Sequence, residues 1–121
     1  MEARALRKSI RMSPRKMRLV IDLIRGKKAN EAITILHFHP KLAAHEAEMV
    51  LRSAIANLNQ KAREEGIRVK EDDILIKKAT VDDGAMFYRT RPADRGRAYR
   101  IRRRSNHLTI VVGIPDKEEN I

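Results

Sequence analysis

Hydrophobic and polar positions change period several times along the chain, and each change marks an element. From residue 3 to 12 they alternate: Leu6, Ile10 and Met12 share one side with Arg4 and Lys8, while Arg7, Ser9 and Arg11 take the other. A period of two predicts a half-buried strand with a basic outer face. Ser13-Pro14 then opens a helix, because serine favours the N-cap and proline the first helical position, where its missing N–H is no loss. Met17, Val20, Ile21 and Ile24 recur at helical spacing, Arg15, Lys16, Arg18 and Arg25 take the exposed side, and Gly26 supplies the stop. Asn30 is expected to cap a short second helix to about Phe38, with Ala32, Ile33 and Leu36 inward and Pro40 ending it. A third helix, from about Leu42 to Glu65, has the longest apolar stripe: Ala43, Ala47, Val50, Leu51, Ala54, Leu58 and Ala62, before Gly66. The alanines in that stripe permit close packing on a sheet or another helix.

After a polar link at 67–73, strand patterns return. Ile74, Ile76 and Thr80 oppose Leu75, Ala79 and Val81, and later Leu108, Ile110 and Val112 mark the helix-facing side of a strand from His107 to Gly113. Between these strands the pattern breaks down. Asp82 to Arg104 holds eight arginines, no lysine and three acids. Structureless loops of about 25 residues are rare inside compact domains. A hairpin prolonged beyond the sheet is the simpler expectation, with its turn near Arg91 to Gly96, where proline and glycine supply turn chemistry. Arms of roughly ten residues would project on the order of 30 Å. Such a ribbon buries little apolar area and is marginal alone, so it should be held by a partner.

Charge narrows that partner to a polyanion. The 121 residues form one domain by length, with a formal net charge of +11. Residues 1–28 carry +8, residues 29–76 carry −2, residues 77–104 carry +7 and the remainder −2. Two basic zones around a near-neutral middle suit a polyanion touched in two places. Arginine donates to phosphate in a planar fork and stacks on bases, and structured RNA offers phosphates, 2′-OH groups and splayed bases. Aromatics are few (Phe38, Phe87, Tyr88 and Tyr99), which argues against a stacking platform for single strands. A DNA-binding module using the first helix and a membrane-surface protein stay open. The first would need a dimer, for which no seam is evident, and the second a free apolar face that the core already requires.

Catalysis finds no support. There are no cysteines, and His37, His39 and His45 lack the spacing and companions of a metal site. Neither paired catalytic carboxylates, a nucleophile triad nor a Gly-rich phosphate loop is present. No cofactor, metal or small-molecule substrate is expected. No apolar run approaches a membrane span, and the N-terminus lacks the apolar centre of a signal peptide.

Several motifs together are specific: Ser13-Pro14-Arg15-Lys16 with Arg18-Leu19-Val20, Asp22-Leu23-Ile24-Arg25-Gly26-Lys27, and Leu51-Arg52-Ser53-Ala54-Ile55-Ala56-Asn57. They are followed by Val81-Asp82-Asp83-Gly84, Arg91-Pro92 with Arg95-Gly96-Arg97-Ala98, and Arg104-Ser105-Asn106-His107-Leu108-Thr109-Ile110-Val111-Val112. In this order and spacing the chain resembles ribosomal protein twenty-two of the bacterial large subunit over nearly its whole length. The resemblance implies an α+β fold: a small antiparallel three-stranded sheet packed on three helices, with one long protruding β-hairpin. The globular part would be 1–81 and 105–115, the hairpin about 82–104, and 116–121 a flexible tail. It implies a cytoplasmic protein of the ribosome that binds large-subunit rRNA and neighbouring proteins, aids assembly, and reaches the nascent peptide in the exit tunnel. The expected rRNA contacts are Arg7, Arg11, Arg15, Lys16, Arg18, Arg25, Lys27, Lys28, Lys77, Lys78, Arg95, Arg97, Arg100, Arg102, Arg103 and Arg104. The expected tunnel-facing tip is Phe87, Tyr88, Arg89, Arg91, Pro92 and Gly96. The chain departs from the family pattern at Ala85, at Phe87-Tyr88, and at Ala93-Asp94.

Overall fold

In chain order the elements of the computed structural model, which describes residues 1–92 and 94–114, are β1 (Glu2–Ile10), α1 (Pro14–Ile21), α2 (Ala29–Phe38), α3 (Leu42–Glu64), β2 (Leu75–Asp83), β3 (Phe87–Pro92), β4 (Ala98–Arg103) and β5 (Asn106–Gly113). Single 3₁₀ turns occupy Glu71–Asp73 and Asp94–Gly96. β1, β5 and β2 form an antiparallel sheet with β5 in the centre, and β3 and β4 form a separate two-stranded ribbon. This is the expected α+β architecture. The expected tail at 116–121 lies outside the described residues, as does Ala93.

The longest periodic stretches behave as their patterns predict. On β5, Leu108, Ile110 and Val112 are fully buried beneath the helices. All seven stripe residues of α3 are buried, joined by Ala44 and Glu48. The shorter elements differ in detail. Ser13 occupies the N-cap position of α1, but its hydroxyl makes no capping bond. α1 stops at Ile21, and turns then lead to Gly26 (φ +74°) while keeping Ile24 buried. α2 is capped at Lys28, not Asn30. The reason is a tertiary tie: Ala29 N–H donates to Ile74 O (2.9 Å) and Ile76 N–H to Lys27 O (3.0 Å). Asn30 spends its side-chain amide on Asp72 instead (3.1 Å).

Two strands change face midway. β1 carries an extra residue between Arg7 and Ile10, where Ser9 adopts a left-handed φ of 58°. Ala5 and Ile10 therefore both point inward, and Leu6, expected on the core side, is 46% exposed. β2 carries its extra residue between Ile76 and Lys78. Ile76, Ala79 and Val81 are thus all buried on one side, although strict alternation had set Ile76 against the other two.

Both sheet edges are covered by side chains of the helices and of the turn after α1. On the β1 edge, Asn57 and Lys61 of α3 donate to the carbonyls of Arg4 and Glu2, each at 3.0 Å. On the β2 edge, Arg18 and Arg25 reach the carbonyls of Val81 (3.0 Å) and Ala79 (2.9 Å). Carbonyls engaged in this way are not free to pair with a foreign strand.

Candidate nucleic-acid interface

The ribbon leaves the sheet through a narrow neck. Gly84 N–H donates to Ser105 O (3.0 Å), and Ser105 Oγ donates to Ala85 O (2.7 Å). Gly84 is required by contact: a Cβ there would lie 2.4 Å from Ser105 Oγ and 3.1 Å from its carbonyl carbon.

Beyond the neck, register fixes what each face carries. Phe87 pairs with Arg103, Arg89 with Ile101 and Arg91 with Tyr99 on one face; Tyr88 pairs with Arg102, Thr90 with Arg100 and Pro92 with Ala98 on the other. On the first face every rung couples one arginine to one apolar or aromatic residue. On the second, the Arg100 guanidinium lies 4.9 Å from the centre of the Tyr88 ring. Ile101 is half-buried, and the other described side chains of β3 and β4 are exposed. The turn is closed by Arg95 and Gly96, both left-handed at φ 60° and 71°.

This register corrects the expected tip. Phe87, Tyr88 and Arg89 lie at the base and lower stem of the ribbon, opposite Arg103, Arg102 and Ile101. Only Arg91, Pro92 and Gly96 of the expected tip residues are near the turn. Among the described residues, no carboxylate pairs with any arginine from Arg89 to Arg104. Among the described residues the side chains of seven of those eight make no hydrogen bond either; the Arg89 side chain donates to the neighbouring Tyr88 O (3.2 Å). Eight exposed guanidiniums without protein anions form a surface that an external polyanion would neutralise.

The first basic zone divides by role. Arg18 and Arg25 are committed to the β2 edge, Arg18 also approaching Asp83 (3.4 Å) and Arg25 pairing with Asp22. Arg7 pairs with Glu46 across to α3. Arg11, Arg15, Lys16, Lys27 and Lys28 are exposed and have no side-chain partner among the described residues. Lys77 reaches Glu2 at 3.4 Å, and the Lys78 side chain has no partner among the described residues. Sequence reasoning missed Arg4 and Lys8, whose place beside Lys78 on one sheet face appears only once the register is known.

Away from these surfaces, Glu48 lies buried on α3. It is 8% exposed and accepts from Arg52 Nε (3.2 Å) and Nη2 (2.9 Å), with His37 Nδ1 at 3.3 Å. The Arg52 hydrogen bonds hold its pKa below the usual carboxylate value against the opposing effect of burial. The group is a structural tie between α2 and α3. Among the described residues, no cluster of His, Cys, Asp or Glu could hold a metal, and no helix is long and apolar enough to cross a membrane.

Residues 5–113 match the family model described as ribosomal protein L22p/L17e. The chain is 48% identical over 112 residues to the large ribosomal subunit protein uL22 of Bifidobacterium longum, covering 93% of this chain and 94% of that protein. It is 47% identical over 120 residues to uL22 of Chlorobaculum tepidum, covering 99% and 97%. With uL22 of Bacteroides fragilis it shares 48% over 108 residues, covering 89% and 77%.

Proposed function

Because the chain belongs to the ribosomal protein L22p/L17e family and is a structural, non-enzymatic constituent of the large ribosomal subunit, we propose that its arginine ribbon is the principal rRNA anchor. The observation that carries this reading is the row of exposed arginines with no protein carboxylate, on a ribbon too thin to stand by burial of its own. Arginines on both faces suit a ribbon enclosed by RNA on two sides. Phosphates meet the guanidiniums in a fork, and splayed bases meet Phe87, Tyr88 and Tyr99. The second attachment is the exposed set Arg11, Arg15, Lys16, Lys27 and Lys28. Touching rRNA at both places makes the chain a brace during subunit assembly. The turn, from Arg91 to Arg97, is the part that reaches the nascent-peptide tunnel.

Replacing Arg100, Arg102, Arg103 and Arg104 together by glutamate tests the anchor. The globular domain keeps its fold, because these side chains are exposed and form no ion pair among the described residues, while incorporation into large subunits is lost. Normal incorporation of that variant would refute the assignment.

A further inference from the structure

The three-stranded sheet has a second face that the helices leave uncovered, and its chemistry differs from the ribbon's. We propose that this face is a separate RNA-binding surface shaped for the minor groove of an A-form duplex, an inference that rests on the rRNA-binding reading above.

Register places the residues in rows across the sheet. Arg4 on β1 and Lys78 on β2 both align with Val111 of β5. Leu6 and Thr80 both align with Thr109. Asp82 aligns with His107, opposite the β1 bulge that contains Lys8 and Ser9. Cations therefore stand on the two outer strands, about 10 Å apart at two strand spacings. Between them lies a floor of short β-branched side chains, where Val111, Thr109 and Thr80 are half-exposed.

Each part suits one component of duplex RNA. The Thr80 and Thr109 hydroxyls donate to or accept from 2′-OH groups, which line the shallow minor groove. His107 Nδ1 accepts from Ser9 N–H at 2.9 Å, so in the neutral ring Nε2 carries the proton as a donor. Asp82 accepts from 2′-OH. Arg4, Lys8 and Lys78 lie where phosphates of the two strands would flank the floor. The floor has no Phe, Tyr or Trp to stack an unpaired base, whereas the ribbon has three, which assigns paired RNA to the sheet and irregular RNA to the ribbon. At its far end the face is closed off by the Lys77 stem, which passes over Gly113 to reach Glu2; a Cβ at Gly113 would meet Met1 O at 2.7 Å and Lys77 Cε at 2.8 Å.

The chain has no cysteine, so Thr109→Cys gives a single tethering point for a hydroxyl-radical source, with Thr80→Cys as a second position if the first impairs folding. In large subunits assembled with the labelled chain, cuts are expected on both strands of one rRNA helix, staggered across its minor groove. Cuts confined to single-stranded loops, or no rRNA cut by an incorporated chain, overturn the proposal; failure of the unlabelled chain to bind rRNA would instead refute the rRNA-binding reading. In solution, Thr80→Val with Thr109→Val should weaken rRNA binding about tenfold with unchanged salt slope, since hydroxyls release no counterions. Arg4→Gln with Lys78→Gln should instead lower that slope by roughly 1.4 to 1.8. Wild-type affinity in the Thr→Val pair overturns the minor-groove assignment.

Discussion

Gly84→Ala places a methyl group where the neck has no room. The new Cβ would lie 2.4 Å from Ser105 Oγ, 3.1 Å from the Ser105 carbonyl carbon and 3.2 Å from His107 Cε1. Ser105 is buried, and its oxygen can swing away only by giving up its bond to Ala85 O. Nor can the strands part freely, because Gly84 N–H is bonded to Ser105 O. Overpacking of this kind costs about 1–3 kcal/mol. Ser105→Ala alone forfeits one hydrogen bond whose acceptor residue is exposed to water, a loss of roughly 0.5–1 kcal/mol. Combining them removes the 2.4 Å contact but leaves the 3.1 Å one, so the double variant should be less destabilised than the sum. The expected coupling is about 1 kcal/mol in favour of the double variant. Urea unfolding of the wild type, both singles and the double measures it, and thermal melts should shift by roughly 4 °C per kcal/mol at this chain length. Additive losses, or a Gly84→Ala variant as stable as wild type, would refute the steric account of the neck.

Other outcomes follow from the same contacts. Glu48→Gln should cost about 1–2 kcal/mol at neutral pH by weakening the charge-assisted bonds from Arg52. Since the folded pKa of Glu48 lies below its ordinary 4.5, the wild-type advantage should be full above that value and vanish as pH falls through the folded pKa, which urea midpoints between pH 3 and 7 would show. Arg18→Met and Arg25→Met keep the apolar stems but uncover the carbonyls of Val81 and Ala79, so each should cost about 0.5–1.5 kcal/mol and raise the aggregation seen by light scattering. Arg15→Ala and Lys16→Ala, exposed and without partners, should stay within about 0.5 kcal/mol in stability while weakening rRNA binding in a filter assay. Ser9→Gly should be neutral or slightly stabilising and Ser9→Val destabilising by about 1–2 kcal/mol, because a β-branched side chain resists the φ of 58°; calorimetry decides.

Where one period ran long enough, the sequence was a good guide. The α3 stripe and the Leu108–Ile110–Val112 alternation are each uninterrupted, and every residue in them is buried. The failures came where a single residue shifts the phase. Neither Ser9 nor Lys77 carries a compositional sign of a bulge, and each reverses the faces of the strand beyond it. The cap of α2 moved to Lys28 because the preceding residues pair with Ile74 and Ile76, a contact some 45 positions away that local preference cannot register. The two basic zones were visible as charge. That Arg18 and Arg25 serve the sheet edge while Arg15 and Lys16 face solvent depends on which strand lies beneath α1. The turn was expected near Arg91 to Gly96 and closes beyond the Pro92–Ala98 pair; Phe87 and Tyr88 were set at the tip by the resemblance alone, and the register puts them on the stem opposite Arg103 and Arg102.

The position of β5 has a consequence for how the molecule comes into being. β5 is both the central strand of the sheet and the last of the described strands in chain order, and it is the one strand to which each edge strand pairs. During synthesis β1 and β2 must therefore wait, unpaired, until residues 106–113 have been added. The three helices are local and can form early; the sheet cannot grow strand by strand behind them. Its closure spans about a hundred residues for the β1–β5 pair, a separation that slows folding. Until then both edges of each strand are open, so the growing chain is most vulnerable to misassociation between the synthesis of β2 and that of β5.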